Sequence, residues 1–213
     1  MAKPAERALR RVSLRKPTPT RSGQAAAGFT VKSGWACAVL IAGTRSSPRL
    51  IDSRRVEISD PDIPDTKQPY HAGFGTARDA GDELKRLVGS VKTHGRKSMS
   101  SLIGEYRKTA NLTAAGVVVG SLIDPKTIGN DHIRIHAMEG QLFREVLIAG
   151  AERSGVHCSV WRERDLYALA AKQLQIAEAV LRKRLTALGD NTDGGWRAEH
   201  KAAALAAWMV LSS

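Results

Sequence analysis

Cysteine and aromatic residues are scarce in this chain of 213 residues, which contains two cysteines, three tyrosines and three phenylalanines. Cys37 and Cys158 cannot form a disulfide framework by themselves, so we expect a reducing compartment, the cytoplasm. So few tyrosine and phenylalanine rings leave little for a surface that stacks on single-stranded bases. The longest apolar run, Ala202 to Leu211, has 10 residues, whereas a membrane-spanning helix needs about 20. We therefore expect no membrane partner.

Acidic residues are the minority charge, because 33 Lys and Arg oppose 21 Asp and Glu to give a net charge of +12. Half of this excess lies in residues 1–24, where seven Lys and Arg accompany the single acid Glu6. Among these cations are Arg10, Arg11, Arg15 and Lys16. Prolines and a lack of apolar periodicity predict a disordered basic arm over 1–24, followed by one folded domain over 25–213.

The basic arm has three interpretations, which the sequence leaves open. Its cations can contact nucleic-acid phosphates, act as an arginine-rich transit peptide for organelle import, or serve as a charged tail that aids solubility. We expect no secretory signal, because the arm contains no apolar core of about 7–15 residues.

Strand patterns are concentrated at the start of the domain. Residues 28–42 are rich in apolar, β-branched and aromatic side chains, and Ser33-Gly34 offers a tight turn within them. Residues 49–59 alternate in polarity and predict a further strand. Residues 114–123 form an apolar run typical of a buried central strand, and residues 157–161 predict one more.

Helical spacing of apolar residues begins after a loop rich in proline and aspartate over 60–75, whose prolines exclude a regular helix. Gly95 separates the first two helical patterns, and Asn130 or Asp131 can cap the third. The predicted helices cover 78–94, 100–109, 131–154, 163–172, 175–188 and 197–211.

The order of these elements predicts an α/β fold. Three early strands form an antiparallel group, and the later single strands, separated by helices, require right-handed crossovers and parallel pairing. The result is a mixed sheet, three antiparallel strands and then parallel strands, flanked by helices.

This order resembles the ribonuclease-H-like fold, and two short motifs resemble its branch of RuvC-type Holliday-junction resolvases. The first is SGWACAVL over residues 33–40, which is similar to the entry of the second strand in that branch. The second is EHKAAALA over residues 199–206, which is similar to the acidic start and alanine-rich body of the final helix. The resemblance covers most of residues 28–213.

Active members of that family bind two divalent cations through carboxylates on the first strand, the fourth strand and the last helix, and the resemblance implies where these would lie. The first-strand acid falls at Lys32, and the fourth-strand acid falls near Val119–Gly120. Only Glu199 remains as an acid on the last helix. Because Mg²⁺ requires oxygen ligands, the resemblance implies a nuclease fold that has lost its metal site.

One cluster of residues could form a different metal site. His132, His136 and Glu139 are spaced i, i+4, i+7, so they share one helix face, and imidazole with carboxylate can hold Zn²⁺ or Mn²⁺. His71 or His200 could add a ligand. The alternative is that the negative charge of Glu139 interacts favourably with the positive N-terminal end of the helix dipole, while the histidines are ordinary surface or boundary residues. We expect no organic cofactor, since nucleotide-binding and nucleophile-elbow motifs are absent from the sequence.

Basic groups within the domain could contact phosphates. Arg182, Lys183 and Arg184 are clustered on the helix predicted over 175–188, and Lys92, Arg96 and Lys97 form another group. A solvated charged face is the alternative for each group.

Three hypotheses follow for the function. The first is a catalytically degenerate ribonuclease-H-like protein that binds nucleic acid or another polyanion. The second is a divergent metal-dependent nuclease, with His136, Glu139 and Glu199 as candidate catalytic residues. The third is a structural module that binds a protein partner and has no nucleic-acid role. Whether the protein is an enzyme therefore depends on the metal cluster.

Overall fold

A computed structural model describes residues 24–73, 76–78, 80–190, 192 and 195–212 of the chain. Residues 1–23, which include Arg10, Arg11, Arg15 and Lys16 of the predicted arm, lie outside the described part. Its strands are β1 (Gln24–Lys32), β2 (Trp35–Gly43), β3 (Pro48–Glu57), β4 (His71–Gly73), β5 (Thr76–Ala77), β6 (Asn111–Val119) and β7 (His157–Arg162). Its helices are α1 (Asp82–Arg107), α2 (Asp131–Arg153), α3 (Leu166–Leu174), α4 (Glu178–Leu188) and α5 (Ala198–Leu211).

Five strands form one mixed sheet in the order β3-β2-β1-β6-β7. β1, β2 and β3 are antiparallel, with Ser33-Gly34 turning β1 into β2 as predicted. β6 is parallel to β1, and β7 is parallel to β6. The predicted mixed sheet, with three antiparallel strands followed by parallel ones, is confirmed.

The sheet separates two hydrophobic cores, because successive strand side chains point to opposite faces. On β1, Ala27 and Phe29 face the core that α1 and α2 cover, while Ala26 faces the core that α3, α4 and α5 cover. The apolar run on β2 divides in the same way, which explains why it carries no polar alternation. The central strands are thus buried on both faces.

α5 packs directly against the centre of the sheet. A side chain on Gly28 of β1 would collide with the backbone oxygen of Ala203, and one on Gly116 of β6 would collide with Ala206. Both glycines therefore allow the helix backbone to approach the strands closely. Residues 202–209 of α5 are all buried, which explains why the helix shows no polar face over this stretch.

α1 is one uninterrupted helix, so the prediction of two helical segments around Gly95 is wrong. Gly95 lies inside the helix and against Ile58, whose Cγ2 would be 2.9 Å from an added Cβ. Burial of apolar residues on both sides, including Leu87 and Met99, outweighs the roughly 1 kcal/mol that an internal glycine costs a helix.

The segment between β3 and α1 is the irregular region that its prolines predict. A 3₁₀ turn at Pro64–Lys67 is anchored by Thr66, whose buried hydroxyl donates to the Ile63 carbonyl oxygen at 2.6 Å. The short strands β4 and β5 follow and pair with each other, and β5 contacts α2. The turn and strands place His71 beside α2. None of the described helices is both long and apolar enough to cross a membrane.

Candidate functional site

The carboxyl ends of the parallel strands β1, β6 and β7 meet at one edge of the sheet, where ligands bind in open α/β folds. Lys32 ends β1 and Arg162 ends β7 at this edge. The loop over 120–130 follows β6 and leads into α2. A ligand site formed by the side chains and loops of this edge is therefore expected.

Of the positions that the resemblance assigns to metal-binding acids, Lys32 and Glu199 lie at this edge. Lys32 at the end of β1 forms an ion pair with Glu163, with 3.7 Å between Nζ and Oε2. Thr30, two residues earlier on the same face, donates from its hydroxyl to the backbone oxygen of Glu199 at 2.8 Å. Glu199 lies in the first turn of α5. Sequence reasoning missed Thr30, although strand alternation places it on the face of Lys32.

Neither cysteine offers a nucleophile at this edge. Cys37 is fully buried on β2, and burial together with the negative charge of Glu199 raises the pKa of its thiol to about 12. Burial also raises the pKa of the Cys158 thiol to about 12. Both thiols therefore stay protonated at neutral pH.

A cluster of histidine and glutamate side chains lies on the opposite face of the sheet from α5. His71, His136 and Glu139 each offer a ligand atom, and these atoms lie within 4.8 Å of one another. His71 Nδ1 is 2.8 Å from Glu139 Oε1, and His136 Nδ1 is 3.6 Å from Glu139 Oε2. His132 packs the edge of its ring against His136, with 4.7 Å between ring centres. The structure thus brings together four of the five residues predicted as metal ligands.

Glu139 is the buried member of this cluster and is 1% exposed. Burial raises the pKa of its carboxyl, and the hydrogen bond from His71 and the nearby charges of His71 and His136 oppose that shift. Within the described residues, Oε2 of Glu139 is buried without a hydrogen bond. No described Lys or Arg forms an ion pair with this carboxylate. Among the described residues, the two imidazoles are thus the groups that lie nearest to this carboxylate.

His200 is not part of the cluster, because α5 and α2 cover opposite faces of the sheet. Its Nδ1 accepts a hydrogen bond from the backbone N–H of Arg197 at 3.2 Å, which caps α5. Its ring lies 5.5 Å from that of Trp196. Burial lowers the pKa of this imidazole. Glu199, beside it, is equally remote from His136 and Glu139, so the three candidate catalytic residues do not form one site.

The predicted basic cluster on α4 is exposed, but one of its members is engaged. Arg182 forms an ion pair with Glu178, with 2.5 Å between Nη2 and Oε1, and its guanidinium stacks on the Tyr167 ring. Lys183 and Arg184 are exposed, and no described ion pair involves them. α4 therefore presents two cations to solvent.

A cleft of about 540 Å³ lies between α1, α2 and the loop that follows β6. Four cationic residues line it: Lys92, Lys126, Arg134 and Arg144. Among the described residues, Asp124 and Glu145 are the only acids in its lining, and Arg134 pairs with Asp131 outside it, at 2.8 Å between Nη2 and Oδ1. Among described residues, no ion pair involves the amines of Lys92 and Lys126.

Sequence reasoning identified Lys92 of this cleft and missed the other three cations. Lys126 lies in a loop, and Arg134 and Arg144 are spread along α2, so no local run of positive charge marks them. A shallower cleft of about 280 Å³ shares Lys92 and extends the positive surface to Arg96 and Arg153. The seam between α1 and α2 is therefore lined with cations along much of its length.

The fold is ribonuclease-H-like, as comparison with solved structures shows. The structure of RuvC from Thermus thermophilus matches with a TM-score of 0.52 at 12% sequence identity, covering 87% of this chain and 92% of that one. T. thermophilus RuvC in complex with a Holliday-junction substrate matches with a TM-score of 0.51 at 13% identity, covering 87% and 91%. No protein-family model and no curated protein sequence matches this chain. The predicted resemblance to the RuvC-type branch is confirmed at the level of the fold.

Proposed function

We propose that this protein binds nucleic acid through phosphate contacts at the cleft between α1 and α2. The observation that carries the proposal is the lining of that cleft. The amines of Lys92 and Lys126 form no ion pair with any described acid. Arg134 and Arg144 add two guanidinium groups to the lining. The four cations outnumber the two acids of the described lining, Asp124 and Glu145, so the cleft attracts phosphate oxygens.

The position of the cleft supports the same proposal. The loop that follows β6 forms one of its walls, and this loop lies at the carboxyl edge of the parallel strands. Arg144 donates to the backbone oxygen of Ser121 at 3.1 Å and so holds the start of the loop against α2. Leu122 and Ile123 beside it are exposed, at 47% and 60%. A phosphate backbone in the cleft would therefore lie next to an apolar loop tip.

We further propose that the protein binds nucleic acid but does not cleave it, because, among the described residues, the edge of the sheet where Thr30 meets α5 lacks a two-metal site. Hydrolysis by two metal ions requires several carboxylates around both cations. At this edge the hydroxyl of Thr30 donates to the backbone oxygen of Glu199, and Lys32 adds a positive charge that repels a cation. Glu163 and Asp165 at this edge are ion-paired with Lys32 and Arg162, and Glu199 by itself supplies too few oxygen ligands for two Mg²⁺ ions. The charges of this edge favour phosphate binding over metal binding.

The known neighbour guides the choice of DNA. RuvC was solved with a Holliday-junction substrate, and this chain shares its fold over 87% of the length. A four-way junction and a linear duplex of the same total length are therefore the two probes. The basic arm over 1–24 would add phosphate contacts of its own, and its substitution must be tested separately.

The test measures the affinity of the full chain for both DNAs across a salt series. We expect a double substitution, Lys92→Ala with Lys126→Ala, to weaken binding and reduce the slope of log K against log salt by about two. Lys183→Ala with Arg184→Ala on α4 removes the same charge from the other face of the sheet. It should leave the affinity nearly unchanged.

Four results would contradict the proposals. Equal losses from the two double variants would mean that the cleft has no special role, and a loss only when Arg10, Arg11, Arg15 and Lys16 are replaced would assign binding to the arm. Binding that is absent at low salt would favour the hypothesis of a protein-binding module. Cleavage of the junction with Mg²⁺ or Mn²⁺ present would overturn the absence of catalysis.

A further inference from the structure

The cluster of His71, His136 and Glu139 joins two parts of the chain that are far apart in sequence. His71 begins β4, and its backbone N–H donates to the carbonyl oxygen of Gln68 at 3.1 Å. His136 and Glu139 lie three residues apart on one face of α2. The irregular segment between β3 and α1 therefore meets α2 at these three side chains.

The donor atoms of the cluster suit one class of cation. Two imidazole nitrogens and a carboxylate oxygen are ligands for Zn²⁺ and similar borderline ions, whereas Mg²⁺ and Ca²⁺ prefer oxygen alone. The ligand atoms lie within 4.8 Å of one another. Around zinc, neighbouring ligands are roughly 3.3 Å apart, so side-chain rotations that close the group by about 1–1.5 Å would form the site.

The buried carboxylate supplies an independent reason for a cation. Within the described residues, Oε2 of Glu139 is inaccessible to solvent and accepts no hydrogen bond. A buried acceptor without a hydrogen-bond partner destabilises the folded state, and more so when it is charged. A bound cation would satisfy this atom and neutralise the carboxylate.

The exposure of the cluster allows a cation to enter. The side chain of His136 is 48% exposed and that of His71 is 18% exposed, so both rings lie between solvent and the buried Glu139. His132 packs against His136 and lies on the exposed side. Either His132 or a water molecule could fill the fourth position of a tetrahedral zinc.

We propose that His71, His136 and Glu139 bind one Zn²⁺ ion and thereby fasten the segment between β3 and α1 to α2. This site does not include Glu199, because α2 and α5 cover opposite faces of the sheet. It does not depend on the proposed binding of nucleic acid. Tyr70, which precedes His71, lines the cationic cleft, so the zinc site would also fix one wall of that cleft.

The test titrates the full chain, freed of metal by a chelator, with Zn²⁺ in a calorimeter. We expect one zinc per chain, and an affinity at least tenfold weaker in His136→Ala and in Glu139→Gln. His157→Ala is the matched control, because His157 is an exposed histidine at the start of β7, away from the cluster. Its affinity should equal that of the unaltered chain.

A second measurement uses only the unaltered chain, so it does not depend on whether a variant folds. Zn²⁺ should raise the unfolding temperature of the unaltered chain and slow proteolysis within residues 60–78. Failure to bind zinc stoichiometrically would overturn the proposal, as would an unchanged affinity in His136→Ala. A zinc affinity that falls equally in His157→Ala would also overturn it, because the ion would then bind elsewhere. If the unaltered chain binds zinc but does not bind DNA, the proposed function is rejected and the proposed zinc site is not.

Discussion

At the scale of single residues, a buried group of charged side chains lies on the α1 side of the sheet. Arg54 is 6% exposed and donates to both carboxylate oxygens of Asp52, at 2.6 and 2.9 Å, and to Glu105 at 2.6 Å. The hydroxyl of the buried Tyr106 donates to the same carboxylate of Asp52 at 2.9 Å. Each member is paired, which makes the burial of this charge tolerable.

Removing Arg54 should therefore be costly. Arg54→Ala leaves Asp52 and Glu105 close together without their shared cation, and we expect unfolding free energy to fall by about 3–5 kcal/mol. Chemical denaturation measures this change. Arg55→Ala is the control, since Arg55 lies next along β3 with a side chain that is 41% exposed, and should cost about 1 kcal/mol or less. Similar losses in both variants would contradict the role assigned to the buried group.

Titration of His200 should make the unfolding free energy depend on pH. Its imidazole is held neutral in the folded protein, because burial lowers its pKa below the ordinary value of 6.5. The unfolded chain therefore binds a proton first as the pH falls, so the contribution to stability is complete above about pH 6.5 and is lost below it. NMR titration should place this imidazole below 6.5. We expect His200→Gln to reduce the fall in unfolding free energy between about pH 7.5 and pH 5.5.

At the scale of secondary-structure elements, the contact of α5 with the sheet depends on small residues. Gly28 and Gly116 lie on neighbouring parallel strands at paired positions, and both face α5. The helix opposite them is built from alanines such as Ala203 and Ala206. Two backbones can approach closely only where both sides lack large side chains, so these small residues let the backbone of α5 pack against the strands.

Gly28→Ala should consequently destabilise the fold. The new methyl group would overlap the backbone of Ala203, and overpacking of this kind costs about 2–3 kcal/mol. Gly89→Ala is the matched control, since Gly89 is exposed within α1 and an added Cβ meets no atom within 4 Å. It should stabilise the protein by about 0.5–1 kcal/mol through helix propensity. Thermal and chemical unfolding measure both changes, and a neutral Gly28→Ala would contradict this account of the packing.

The elements also show what a sequence pattern can and cannot predict. Strand and helix positions followed from apolar spacing, because burial on one or two faces leaves a direct trace in the order of residues. Gly95 misled the prediction for α1, since a glycine can either end a helix or make room for a neighbour, here Ile58. Only the three-dimensional packing distinguishes these two roles.

At the scale of the whole molecule, the topology was predictable and the sites only partly so. Helical spacing placed His132, His136 and Glu139 on one face, and the structure confirms that Glu139 is adjacent to His136. The approach of His71 follows from the course of an irregular segment, which no periodicity describes. The cationic cleft likewise combines Lys92 of α1 with Lys126 of a loop, and their proximity is a product of tertiary structure alone.

The place of α5 in the chain order has a consequence for folding during synthesis. β1 is made early, yet its partner β6 follows it by about eighty residues, and α5 is made after every strand of the sheet. Until α5 arrives, the alanine- and glycine-rich centre of one sheet face has no cover and its apolar surface is available to other molecules. We expect the nascent protein to need shielding by a chaperone during that interval, and folding of this face to be completed only after α5 leaves the ribosome.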